Sequence, residues 1–374
     1  MFKIFYNNSD ATMYEALPDM NTGLDEILEI GKRVNTSGSY AFKSRSLIKF
    51  DMTEVSSSLS KYSVSVNNCK FVLQLFASDV LNLASDVTVD CLMAAQPWTN
   101  GTGYVTDVLV TDGVSWTRPH ASWSLDSEVG EMWISSSQNI QLTGSAISVL
   151  GSGSGGSWYS GSLFQQSYDV NSRTVDINLD VTNAVKLWIS GSNGYRVPNN
   201  GFLLKFGSNY EADTTVAGYI NYFSRETNTI YVPKLLMYWD NSTYTTGTLA
   251  AVDTESFIAY TSIKPAYKDT EVAKIRIYSR DKYPQKSPTN LFPQQVVKRL
   301  PATTYYTVLD AVTDEVIIPY DDIYTKVSCD STSNFIHIDF NGFMPERNYR
   351  LEFKIVNGIE EQYTTDQIYF KVIR

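Results

Sequence analysis

Few residues in this chain have the type and spacing that catalysis asks for. Its two histidines are His120 and His337. A Ser-His-Asp relay needs a positioned imidazole. His120 lies in the proline-flanked stretch TRPHASW. His337 alternates with Ile336 and Ile338 in NFIHIDF and shares a strand face with Phe335 and Asp339, which reads as a structural position. Cys69, Cys91 and Cys329 form no CxxC or CxxxC pair, so a structural zinc site is not expected, and Cys69 and Cys91 read as core fillers in apolar runs. Asp176, Asn178 and Asp180 recur on one strand face about 7 Å apart. That oxygen set suits a hard cation such as calcium, or is simply a solvated face. DVNSR at 169–173 is the nearest approach to a calcium loop and lacks both the glycine and the closing glutamate. GSGSGGSWYSGS at 151–162 has no lysine after its glycines and reads as a mobile loop, not a phosphate cradle. Glycoside hydrolysis needs two carboxylates about 5 to 9 Å apart; among forty acidic residues the sequence nominates no particular pair. No catalytic, cofactor-binding or metal residue is therefore predicted.

The better candidates are aromatic. A Trp or Tyr ring can cover the apolar face of a pyranose while amides and hydroxyls hold its hydroxyl groups. Trp158 and Tyr159 sit in the Gly-Ser loop, and Trp116 and Trp123 flank a proline turn. The competing role for all four is burial against the fold or against a neighbouring subunit, where such rings act as anchors.

The elements that must position these residues are strands. Of 374 residues, 43% are hydrophobic and 19% charged, enough for real cores. Turn clusters recur every ten or so residues, with short alternating runs between them. CKFVLQLFA at 69–77 puts Phe71, Leu73 and Leu75 on one face. TVDINLDV at 174–181 turns Val175, Ile177, Leu179 and Val181 inward. LIKFDM at 47–52, VTVDCLMAA at 87–95, GFLLKF at 201–206 and VPKLLMYW at 232–239 are further strands. Thr182–Trp188 reads as a short helix, with Val181, Val185 and Trp188 on one side; Thr53–Leu59 is a weaker helix because of its serine run. The polar stretch at 241–258 marks a boundary, and all seven Trp precede it. After it, VAKIRIYSR, YYTVLDA, FIHIDF, YRLEFKIV and QIYFKVIR give roughly seven strand signals without helical period, the pattern of an immunoglobulin- or fibronectin-like sandwich.

Several motifs in the first part occur in a telling order. DATMYEALPDMNTGLDEILEIGKR is followed by SRSLIKFDM, then PWTNGTGY and GVSW. DVTNAVKLWISGSNGYRVPNNGFLLKF comes next, and YFSRETNTIYVPKLLMYW last. This order resembles the DNRLRE-type carbohydrate-binding module, and the resemblance spans about residues 1–240. It implies a jelly-roll-like β-sandwich over 1–245, from which this sequence departs by an insertion at about 118–172; with the smaller Ig-like β-sandwich over 246–374, read from strand pattern alone, the fold is expected to be all-β. The shared motifs read as fold motifs: Gly201 opens a strand, Trp188 plugs the core, Arg45 bonds backbone carbonyls, and Arg225 and Glu226 form a partly buried ion pair. No sugar-binding residue is carried across.

Charge and the chain start shape the functional expectation. Net charge is −10, which argues against wrapping nucleic acid. No window approaches a membrane span, and the opening residues show no export signal. Modules of this kind are usually exported; one folded in a cytosol resembles a tailed-phage virion component. That implies a non-enzymatic structural protein of a tail, baseplate, neck or head, present in several copies, with other virion proteins as partners and assembly in the host cytoplasm. A glycan-binding adhesin for host surface polysaccharide is the alternative, and a polysaccharide-degrading enzyme a more distant one. No cofactor is expected.

Overall fold

The computed structural model describes residues 2–34, 41–83, 87–106, 108–121, 131–141, 146–170, 175–192, 194–213, 217–239, 244–252, 256–357, 359–364 and 368–374. The chain is all-β, with 47% of residues in strands and 9% helical, arranged in several antiparallel sheets as a β-sandwich protein. It divides into two compact units: one is Phe5–Leu236, and the other joins Met237–Arg374 to the first four residues. The division falls inside two strands.

The first unit holds β1 (Phe2–Tyr14), β2 (Ile27–Val34), β3 (Ala41–Phe50), α1 (Met52–Lys61), β4 (Cys69–Leu75), β5 (Ala77–Leu81) and β6 (Val87–Met93). Next come β7 (Gln138–Gln141), β8 (Ala146–Gly151), β9 (Ser157–Tyr159), β10 (Gln165–Val170), β11 (Ile177–Asp180) and α2 (Thr182–Ile189). β12 (Phe202–Phe206), α3 (Ser208–Ala212), β13 (Gly218–Phe223) and β14 (Lys234–Trp239) follow, with the first residues of β1 and the last of β14 counted in the other unit. The main sheet runs β10-β6-β12-β3-β1-β14-β4-β11, with a branch from β3 through β2 and β13 to β5. β3 is the junction: Ser46 pairs with Thr12 of β1 and Leu204 of β12, and Ser44 pairs with both Tyr14 and Gly31.

Alternation in the sequence becomes burial. Phe71, Leu73 and Leu75 are fully buried, as are Ile177 and Val181, while Asp176, Asn178 and Asp180 between them are exposed. Gly201 has φ +80°, and a Cβ there would lie 2.3 Å from the Ile48 carbonyl oxygen, so only glycine enters β12 this way. Trp188 is buried with its ring 4.8 Å from that of Phe202. α1 forms despite its serines. Asp51 caps it by accepting from the Thr53 amide, and Ser57 and Ser58 turn their hydroxyls back onto the carbonyls of Thr53 and Glu54.

Arg225 and Glu226 approach to 3.9 Å as a partly buried pair, their side chains 48% and 35% exposed, where such a pair is worth little. A fully buried link at this corner is Asp10. Its Oδ2 accepts from the Arg225 amide at 2.7 Å and from Asn7 Nδ2 at 2.6 Å, and burial pushes its carboxyl up to about 7.

In the second unit a four-stranded sheet runs in the order Ser256–Thr261 (β15), Val272–Asp281 (β17), Asn334–Asp339 (β21), Ser328–Cys329 (β20). A six-stranded sheet contains Ala266–Lys268 (β16), Ile368–Ile373 (β24), Asn348–Asn357 (β22), Thr304–Asp310 (β18) and Val316–Ile318 (β19), with Glu360–Tyr363 (β23) also on β22. Aromatic rings fill the core: Tyr267 stacks on Phe340 at 4.4 Å, and Phe370 meets both edge-on.

Candidate functional site

The insertion does not leave the Gly-Ser segment as a mobile loop. β7, β8 and β9 form their own small sheet, and residues 151–159 run from β8 through a tight turn into β9. The turn works because Gly153, Gly155 and Gly156 all take positive φ. The Gly155 amide donates to the Trp116 carbonyl at 2.6 Å. Gln96 ties two segments of the insertion together, accepting from the Ile134 amide at 2.8 Å and from Ser157 Oγ at 2.7 Å. Under this cover Trp98, Trp116, Trp133 and Leu203 build a second apolar cluster against the sheet, with Trp158 packed on its edge.

Arg45 projects from β3 into this cluster and is the best-held charge of the first unit. Its Nε and Nη2 donate to the two carboxylate oxygens of Glu211 at 2.9 and 2.8 Å, and Nη1 donates to the Gly155 carbonyl at 2.7 Å. The Trp116 and Trp158 rings lie 5.1 and 5.7 Å from the guanidinium carbon. Lys205 on β12 approaches Glu211 at 3.7 Å and Asp90 at 3.6 Å, and Ser167 donates to Asp90 at 2.8 Å. Two cations and two carboxylates thus neutralise one another in a buried network. Each carboxylate is committed to partners, so this arrangement holds the insertion onto the sheet.

The predicted aromatic residues separate here. Trp116 and Trp158 meet around Arg45; Trp116 is buried and Trp158 half-buried. Tyr159, the next residue on β9, points the other way. It is buried with its ring 5.6 Å from Phe164, and burial pushes its phenol up to about 12. Trp123 lies outside the described residues. The acidic strand face is likewise put to structural use: Asp176 accepts from the Ala77 amide at 2.7 Å and Asp180 from the Thr182 amide at 2.9 Å. Among the described residues no group of three or more His, Cys, Asp or Glu could hold a metal ion. His120 is buried. His337 is half-buried, with its ring 5.3 Å from Phe335, and burial together with Lys274 lowers its pKa.

Sequence reasoning did not single out two exposed surfaces. In the first unit the turn 17–25 is knitted to the segments 100–105 and 108–117. The Asn21 amide donates to the Val110 carbonyl at 2.9 Å, the Leu24 amide to Gly103 at 3.0 Å, and the Val105 amide to the Asp25 carboxylate at 3.0 Å. Asn21 donates from its own amide to the carbonyls of Asn100 and Val114, at 2.7 and 2.8 Å. On this braced frame Val108 is 90% exposed and Leu109 60%. In the second unit Tyr260 and Tyr278 stack at 4.3 Å across β15 and β17, with Tyr260 59% exposed. Beyond β17, Tyr283, Leu291 and Phe292 are also exposed. The one available signal was composition: VLV at 108–110 and LF at 291–292 are apolar residues inside turn-rich stretches.

No protein family matches the chain, and no curated protein does. A solved structure of a β-glucuronidase from Parabacteroides merdae, with glycerol in its active site, overlaps at 12% identity and a TM-score of 0.17. The overlap covers 81% of this chain and 28% of that one, so this chain spans well under a third of the enzyme's length. A likeness of that size carries no argument about fold or activity.

Proposed function

We propose that this chain is a non-enzymatic structural component of a bacteriophage virion, docking through surfaces of its β-sandwich units. The observation that carries the reading is the exposed apolar pair Val108 and Leu109. Side chains as exposed as Val108 and Leu109 are held on turns already fixed by backbone and Asn21 hydrogen bonds. Pre-ordered apolar side chains lose little entropy on docking, which favours a permanent interface. The order of motifs in the first part, with its resemblance to a module common on such particles, supports the same assignment. Immunogold electron microscopy of purified phage particles tests it: antibody to this chain decorates a defined part of the particle, and unlabelled particles overturn the reading.

The stacked Tyr260–Tyr278 pair favours a second reading, a glycan-binding adhesin, because an exposed tyrosine face suits a sugar ring. A host-polysaccharide glycan array with multivalent protein decides it, and no signal at millimolar ligand removes it.

A further inference from the structure

Lys205 is a buried nucleophile that the ion-pair network does not fully use. Its side chain is 4% exposed, and those of Asp90 and Glu211 are each 9% exposed. Nζ donates to the Phe206 carbonyl at 3.0 Å and to Ser208 Oγ at 3.3 Å, which leaves one of its three protons for the carboxylates. Asp90 Oδ2 at 3.6 Å and Glu211 Oε2 at 3.7 Å both lie beyond hydrogen-bond reach. The ammonium therefore sits between two carboxylates without a hydrogen bond to either.

Three neighbouring strands hold these groups in line. Lys205 of β12 pairs with Asp90 of β6, and Asp90 pairs in turn with Ser167 of β10. Ser167 Oγ donates to Asp90 Oδ1, the carboxylate oxygen other than the one nearest Lys205, at 2.8 Å. The Trp158 ring lies 5.9 Å from Nζ, so an apolar face borders the site.

The geometry points to an isopeptide bond that the chain forms within itself: Lys205 Nζ joins Asp90 Cγ, with Glu211 as the proton relay. This goes beyond the assembly reading above and does not depend on it. Glu211 takes the proton that faces it, and the freed Nζ lone pair attacks Asp90 Cγ. Charge develops on Oδ1, where the Ser167 hydroxyl stabilises it. The bond from Cγ to Oδ2 breaks as Glu211 returns its proton; the second proton shed by nitrogen follows the same route, and Oδ2 leaves as water. One ammonium and one carboxylate become one amide and one water, and no oxidant or further reactant is consumed. Two features favour the step. Well-oriented neighbours react as if at an effective concentration of about 10⁵–10⁸ M. Condensation also removes two buried charges, whose desolvation is costly, and leaves Arg45 and Glu211 as a balanced pair. The bond ties β6 to β12 and closes residues 91–204, the insertion among them, into one covalent loop.

Intact-mass spectrometry of the full chain under denaturing conditions tests this, because a covalent bond survives unfolding. The wild-type chain is expected to be one water, about 18 Da, lighter than its sequence. Its digest should contain one branched peptide that joins the segments around Lys205 and Asp90. Lys205→Arg keeps the positive charge without the nucleophile, and Asp90→Ala removes the acceptor; each should have the full mass of its own sequence, with circular dichroism checking that the strands remain. A wild-type chain of full mass overturns the proposal, whether or not the variants fold. A water loss that persists in Lys205→Arg or Asp90→Ala overturns it too, as does a branched peptide that maps to other residues.

Discussion

Arg45 and Glu211 stand 166 residues apart in sequence and meet through two parallel hydrogen bonds of 2.9 and 2.8 Å. Both side chains are buried, and the guanidinium is also tied to the Gly155 carbonyl. One ion pair therefore joins β3, the turn before β9 and the short helix after β12. Removing one member of a buried pair leaves the other charge uncompensated, at about 3–5 kcal/mol. Glu211→Ala should lower stability by that amount in urea titration. Arg45→Lys should lose a large part of it, because an ammonium cannot reproduce the planar fork. A loss below about 1 kcal/mol for Glu211→Ala would mean that this network does not hold the insertion.

The glycines of the insertion should rank by what surrounds them. Gly153 and Gly156 both have positive φ, but a Cβ at 153 meets only Ser135 at 3.4 Å, whereas one at 156 would lie 2.1 Å from Leu203 Cδ1. Gly153→Ala should cost about 1 kcal/mol from backbone strain alone. Gly156→Ala adds overpacking of roughly 1–3 kcal/mol and should shift the tryptophan emission, since Trp158 lies two residues on. Equal costs at the two sites would contradict the packing described.

Much of this was legible in the sequence. Period-2 alternation placed β4 and β11 and their inward faces, because burial on one face leaves a direct trace in the order of residues; β12, buried along its whole length, read as a strand from its apolar run alone. The helix at 182–189 was equally clear. The Gly-Ser stretch was misread because low complexity looks the same whether glycines serve freedom or supply positive φ for one tight turn. The Arg45–Glu211 pair was invisible, since nothing local in SRSL or SNYEA marks partners brought together by sheet closure. The Arg225–Glu226 pair is partly buried as expected, while the link from the Arg225 amide to Asp10, 215 residues away, left no local trace.

Asp10 should make the first unit sensitive to pH in an unusual direction. Its carboxyl is raised from 3.8 to about 7 by burial, against the hydrogen bonds from Arg225 and Asn7 and with Glu226 nearby. A group with a raised native pKa contributes stability that is full below about pH 4 and is lost as pH climbs to about 7, about 4 kcal/mol over that window. Asp10→Asn should therefore gain on wild type as pH rises from 4 to 7 in urea titrations. A gap that stays constant across that range would contradict the assignment.

Asp330 in the second unit runs the other way. Lys274 at 2.9 Å and the amides of Thr332 and Ser333 hold its carboxyl well below its usual value, although burial opposes them. The stability it contributes is present above about pH 4 and lost below it, of order 1–2 kcal/mol at this partly exposed site. Asp330→Asn should be less stable than wild type at pH 6 and converge on it near pH 2. Divergence on acidification would refute this.

Cys69, Cys91 and Cys329 are buried and free, and burial pushes the Cys69 thiol up to about 11. Thiolate is the reactive form. Ellman's reagent should label the native chain slowly and three thiols promptly in urea. Rapid native labelling would show that these core positions open.

The central claim is that the chain serves as an assembled, non-catalytic part of a particle. Quantitative mass spectrometry of phage particles, purified from the cells that produce this protein, tests it most directly. The account predicts the chain at a fixed, multi-copy ratio to the major capsid protein through successive purification steps. A ratio that falls toward zero as the particles are purified would contradict it.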